Sequence, residues 1–110
     1  MELEFASKAL CKRMENDKAM SKAFGERAKP LKLRLALLRQ AANLGDVPHV
    51  PPPRRHKLTG AREGQYAVDL KQPWRLVFEP ANDPLPVKDD GSLDLAAVTK
   101  VRILEVTDYH

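Results

Sequence analysis

A chain of 110 residues, 43% hydrophobic and 31% charged, has room for one modest core. With no run approaching the roughly 18 apolar residues of a membrane helix, it reads as one globular domain, residues 1–110, without a membrane span. The formal charge of +4 points to an anionic partner without naming one. The single cysteine, Cys11, excludes an intrachain disulfide, and Met1–Phe5 lacks the basic and apolar regions of a leader, so a cytoplasmic location is expected.

The charge is unevenly spread. Residues 1–44 carry ten Lys/Arg against five Asp/Glu, and residues 45–78 carry six against three. In residues 79–110 the balance reverses, with three against seven.

Glu2-Leu3-Glu4-Phe5 alternates polar and apolar, which predicts a short strand, and Ser7 is placed to cap the helix that follows. Leu10, Met14, Met20 and Phe24 recur at helical spacing from Lys8 to Phe24, with Asn16-Asp17 as a point of interruption and recapping and Gly25 as the stop. A second helix is predicted from Pro30 to about Leu44. It carries two apolar stripes, Leu31/Leu35/Leu38/Ala42 and Leu33/Leu37/Leu44, which predict burial on two sides, with Lys32 and Arg39 facing water.

Val47–Pro53 is too rich in proline for a helix or central strand and is expected to be an extended, polyproline-like connector. Thr59-Gly60 and Glu63-Gly64 mark a loop. Gln65–Leu70 and Trp74–Glu79 alternate with a tight connection between them, an antiparallel hairpin with Tyr66, Val68, Leu70, Trp74, Leu76 and Phe78 on one face. Residues 80–97 read as a loop insertion, mobile or masking. The β-branched stretch Val98–Val106 closes the chain as a strand. The order β-α-α-β-β-β places two helices on one face of a small, mainly antiparallel sheet, an α+β fold.

Three groups of residues carry possible chemistry. Arg54-Arg55-His56-Lys57, with Arg62 and Arg75, is either a phosphate-neutralising cluster or a solvated basic loop. Arg75 alternates away from the apolar face of its strand, so it either meets RNA on an open sheet face or forms a cross-strand ion pair with Asp69 or Glu105. Asp108-Tyr109-His110 offers an imidazole for proton transfer and a ring for stacking, or is a frayed tail. His49 is read as a loop residue and Cys11 as a buried structural thiol. No metal-ligand spacing and no glycine-rich phosphate loop is present, so neither metal nor other cofactor is expected.

At these residues the chain resembles a family. His56-Lys57-Leu58-Thr59-Gly60-Ala61-Arg62-Glu63-Gly64-Gln65-Tyr66-Ala67-Val68 is similar to the H-x-L-x-G-x-r-x-G segment of the HigB-type killer proteins. Pro73-Trp74-Arg75-Leu76-Val77-Phe78 resembles their W-R strand, and Asp108-Tyr109-His110 their D-Y-H ending. The resemblance implies a RelE/ParE-like fold, a metal-free ribosome-dependent endoribonuclease acting on mRNA, and a HigA-like helix-turn-helix antitoxin. It implies that Arg75 binds the scissile phosphate and that His110 has Tyr109 and Asp108 as neighbours near the codon. It also implies that His56 and Lys57 enter the site from the loop. Arg55, Arg62 and Lys71 are further candidate phosphate contacts read from the residues themselves.

Two departures stand out. Asp69 occupies the strand position where many relatives carry an arginine, so Lys71 or Arg62 substitutes or activity is weak, and loop 80–97 is longer and more acidic than the usual turn. Two other readings on the same fold stay open: a non-enzymatic inhibitor of the ParE kind, acting for example on gyrase, and a degenerate toxin that only binds its antitoxin.

Overall fold

A computed structural model describes residues 1–108 of the chain. Strand β1 (Glu2–Phe5) leads to Ser7, whose hydroxyl accepts from the Leu10 amide at 3.0 Å and starts α1 (Lys8–Met14). The predicted helix over 8–24 is two helices. The Asn16 side chain accepts from the Ala19 amide at 2.8 Å and caps α2 (Asp17–Phe24). Gly25, at φ 56°, ends α2 in a backbone region that a Cβ disfavours.

Helix α3 spans Ala28–Gln40 rather than running to Leu44. Pro30 lies in its first turn, where an amide would have no intrahelical partner. Ala41 turns to extended backbone, and the carbonyls of Leu38, Arg39 and Ala41 accept from the Met1 ammonium, so a positive group meets the helix's unsatisfied end. Leu44 then opens a separate 3-10 turn (Leu44–Asp46) capped by Asn43.

The two predicted stripes are each buried in part. Leu31, Leu35 and Leu38 of the first are in the core but its Ala42 lies exposed beyond the helix, and of the second Leu33 is 57% exposed, Leu37 is half-buried and Leu44, past the helix end, is buried. The helices cover the sheet as a layer, and nothing among the described residues covers the outer side of Leu33. Cys11 is exposed rather than buried, because it falls one residue past Leu10 on the face of α1 that turns to water.

Among the described residues the sheet has five strands in the order β1-β5-β4-β3-β2. The additional strand, β2 (His56–Lys57), pairs antiparallel with β3 (Tyr66–Asp69), which forms the predicted hairpin with β4 (Arg75–Pro80). β5 (Lys100–Thr107) lies antiparallel to β4 and parallel to β1. The order is thus β-α-α-α-β-β-β-β. Tyr66, Val68, Leu70, Leu76, Phe78, Val101 and Ile103 face the helices in the main core. The other sheet face is not uniformly open, since Leu58, Ala67 and Val77 form a second small core with Leu104 against it.

The proline run is a compact turn, not an extended connector. Prolines lack amides but keep carbonyls, and Val50 and Pro48 accept from Arg54 and Arg55 at 3.0 and 2.9 Å while Pro53 accepts from Asp69 at 2.7 Å. Residues 80–97 also have a defined path. Val87 bridges Leu93, Leu95–Ala97 is a 3-10 turn, and Asn82 accepts from the Thr99 and Lys100 amides. This segment leaves β4 at Pro80, the end opposite Arg75, and its Leu95–Ala97 turn packs against the Leu44–Asp46 turn. Among the described residues no helix is long and apolar enough to cross a membrane.

Candidate functional site

The sheet register collects the chemistry on the face away from the helices. Asp69 pairs with Arg75, and Arg75 with Thr107. In the next row His56 pairs with Ala67, Ala67 with Val77, and Val77 with Glu105. Paired residues share a face. Arg75 is held there because Trp74, one residue earlier, is fixed on the helix side. The Arg27 guanidinium stacks over the Trp74 ring, 4.0 Å from its centroid, and lies 5.7 Å from the Phe24 ring.

A cleft of about 430 Å³ opens on this face, lined by Arg54, His56, Lys57, Leu58, Thr59, Arg62 and Arg75. Of the residues singled out from sequence, Arg54, His56, Lys57, Arg62 and Arg75 are brought together here. Lys57 is exposed and out of phase with His56 along β2, so it contributes from the sheet edge.

Arg55 does not join the group, because its guanidinium donates to the Leu44 carbonyl at 2.6 Å and ties the strand to the 3-10 turn. Lys71 is also elsewhere, in an exposed pair with Glu26 at 3.2 Å. Asp108 is exposed and directly follows Thr107, the partner of Arg75. Tyr109 and His110 lie outside the described residues.

His56 has a defined tautomer. Its Nδ1 lies 2.8 Å from the Arg54 carbonyl oxygen, which only accepts. Nδ1 therefore carries the proton, and the neutral ring keeps its lone pair on Nε2. Arg62 spans the second small core to pair with Glu105 and also donates to Gln65 at 3.2 Å.

The ion pair left open for Arg75 is made with Asp69, at 3.6 Å from Nε to Oδ1. Asp69 itself is only 5% exposed. It accepts from Arg54 at 2.6 and 3.0 Å and from Gln72 at 3.2 Å, and its carbonyl accepts from Arg34 of α3 at 2.7 Å. Sequence reasoning carried Arg55 forward from the basic run where the structure places Arg54 in the cleft. The sequence left Asp69 and Glu105 both open as partners of Arg75, and no local signal pairs Asp69 with Arg54. Among the described residues no three His, Cys, Asp or Glu side chains gather as metal ligands.

No protein-family model matches the sequence, and no curated protein matches it. Its structure does resemble solved ones. The YoeB/ParE toxin from Agrobacterium tumefaciens superposes over 100% of both chains with a TM-score of 0.58 at 7% identity. A mutant of YafQ from E. coli aligns over 97% of this chain and 91% of its own, with a TM-score of 0.56 at 14% identity. The chain shares its fold with these two structures. The YoeB–YefM complex from Staphylococcus aureus agrees, with a TM-score of 0.54 and 16% identity over 100% and 97% of the two chains. At these identities the likeness concerns the fold.

Proposed function

We propose that this protein is the toxin of a type II toxin–antitoxin pair, of the HigB kind, and that it cleaves mRNA on the ribosome. The observation that carries the reading is the cleft, which sets an imidazole of defined tautomer among arginines and a lysine on a sheet of the toxin fold. A neutral cleft would not hold a phosphodiester, and a purely electrostatic one would need no oriented histidine.

In this reading the RNA supplies its own nucleophile. The 2′-hydroxyl gives its proton to His56 Nε2 and attacks the adjacent phosphorus. The O2′–P bond forms, the P–O5′ bond breaks, and the products are a 2′,3′-cyclic phosphate and a 5′-hydroxyl. Arg75 and Lys57 stabilise the charge that builds on the phosphoryl oxygens, and Arg62 binds a neighbouring phosphate. His110 protonates the departing 5′ oxygen, and Tyr109 and Asp108 contact the codon. The ribosome holds the mRNA in line, which supplies much of the orientation. The partners are the ribosome with its mRNA and, for inhibition, a HigA-like helix-turn-helix antitoxin.

Primer extension on a translated mRNA, with and without ribosomes, tests this reading. Codon-linked cuts that need ribosomes are expected. Gyrase-linked DNA breaks without RNA cuts would replace it with a ParE-like action, and neither effect, with antitoxin binding intact, would leave a degenerate toxin.

A further inference from the structure

We propose that Asp69 is a positioning residue that sets Arg54 and Arg75 side by side as a two-arginine clamp for a single phosphate. That this phosphate is the scissile one rests on the nuclease reading above.

A carboxylate 5% exposed at a polyanion site is an odd choice if its only effect is charge, because it repels the ligand and is costly to desolvate. Its contacts show another use. Arg54 Nε donates to Oδ2 at 2.6 Å and Nη2 to Oδ1 at 3.0 Å, a planar fork on a planar acceptor. Arg75 Nε lies 3.6 Å from the same Oδ1. The backbone repeats the arrangement. The Asp69 amide donates to the carbonyl of Pro53, the residue before Arg54, at 2.7 Å. Main chain and side chain of Asp69 therefore both hold the segment that carries Arg54.

Arg54 sits at φ 45°, the left-handed region, where a non-glycine residue persists only if its surroundings hold it. Arg34 of α3 donates to the Asp69 carbonyl at 2.7 Å, which anchors the residue to the helix layer.

One carboxylate alone does not neutralise two guanidiniums, and both line the cleft, with side chains 38% and 18% exposed. Asp69 thus orders the two cations without neutralising them, and their rotamer freedom is already lost when phosphate arrives. A residue that only damped charge would act in the opposite direction, since its removal would tighten phosphate binding.

The test uses the full chain with nitrogen-15-labelled arginine side chains, titrated with inorganic phosphate and followed by the Nε–H signals. In the unmodified protein the Arg54 and Arg75 signals should move together with one dissociation constant. Asp69→Asn should weaken that constant at least fivefold and uncouple the two signals, with circular dichroism unchanged. Equal or tighter phosphate binding in Asp69→Asn overturns the proposal, as does a response at Arg75 alone in the unmodified protein. If Asp69→Asn does not fold, Arg54→Gln decides, because an unchanged constant at Arg75 there also overturns the clamp.

The readout needs no cleavage, so the two ideas fail separately. A clamp that binds phosphate in a protein that never cuts mRNA removes the nuclease reading. Ribosome-dependent cleavage by Asp69→Asn at the unmodified rate removes the clamp and leaves the nuclease.

Discussion

The face of the sheet away from the helices carries two ionic networks, one toward each end of β4 and β5, and they are built differently. At the Pro80 end, Glu4 pairs with Lys100 at 2.8 Å and with Arg102 at 3.1 Å, and Arg102 pairs with Glu79 at 2.7 Å. Two anions meet two cations there. The hydrogen bond from Lys100 holds the Glu4 carboxyl below its ordinary range, the same bond holds Lys100 above its own, and the Glu79 bond raises Arg102. At the Arg75 end, Asp69 and Glu105 meet Arg54, Arg62 and Arg75, with Lys57 at the edge. Among the described residues, cations exceed anions there. Paired charges on one surface can therefore be structural or functional, and the imbalance, with a histidine beside it, separates the two.

The largest expected effect separates the networks by activity. Arg75→Ala should lower ribosome-dependent cleavage by on the order of 10²–10³-fold, as loss of one donor to transition-state charge does, and should abolish growth inhibition. Arg102→Ala should change cleavage less than about twofold, since it lies in the balanced network. Equal losses in the two variants would erase the distinction.

His56→Ala comes next, with a loss of about 10²-fold in cleavage rate if Nε2 takes the proton. His56→Gln should recover little, because an amide occupies the place without accepting a proton at neutral pH. A full-rate Gln variant would leave the imidazole only a structural part. Leu58→Ala should cost about 2–4 kcal/mol of stability by denaturant titration, because it empties part of the small core under the cleft.

The smallest effect is a pH signature of the balanced network. The depressed Glu4 carboxyl contributes stability above its unfolded pKa, and that contribution is lost as pH falls through the lower folded value. The raised Lys100 contributes below its unfolded pKa and loses that contribution as pH rises through the higher folded value. The melting temperature should therefore sag at the acid and alkaline extremes, and Glu4→Gln should flatten both ends. An unchanged profile in that variant would mean the network has no measurable linkage to folding.

Much of the frame was legible because it is local. The hairpin faces follow from period-two alternation in residues 65–79, and the breaks at Asn16 and Gly25 follow from residue types that cap and stop helices. The second stripe of α3 misled because periodicity reports that a face is apolar, not whether anything packs on it, and Leu33 remains exposed. The proline run misled because proline sets its own φ, while the direction of the turn comes from the amides of Arg54, Arg55 and Asp69 that its carbonyls accept.

The candidate site divides along the same line. A basic run, a tight hairpin and an arginine alternating away from the apolar face can be read from residue order, because these depend on near neighbours. Which cation meets which carboxylate depends on how the strands are arranged. Arg54 and Asp69 are 15 residues apart and Arg62 and Glu105 are 43 apart. They meet only because β5, β4, β3 and β2 lie side by side in that order. An ion pair needs proximity in space, and side-chain charges alone carry no record of which strand will be the neighbour.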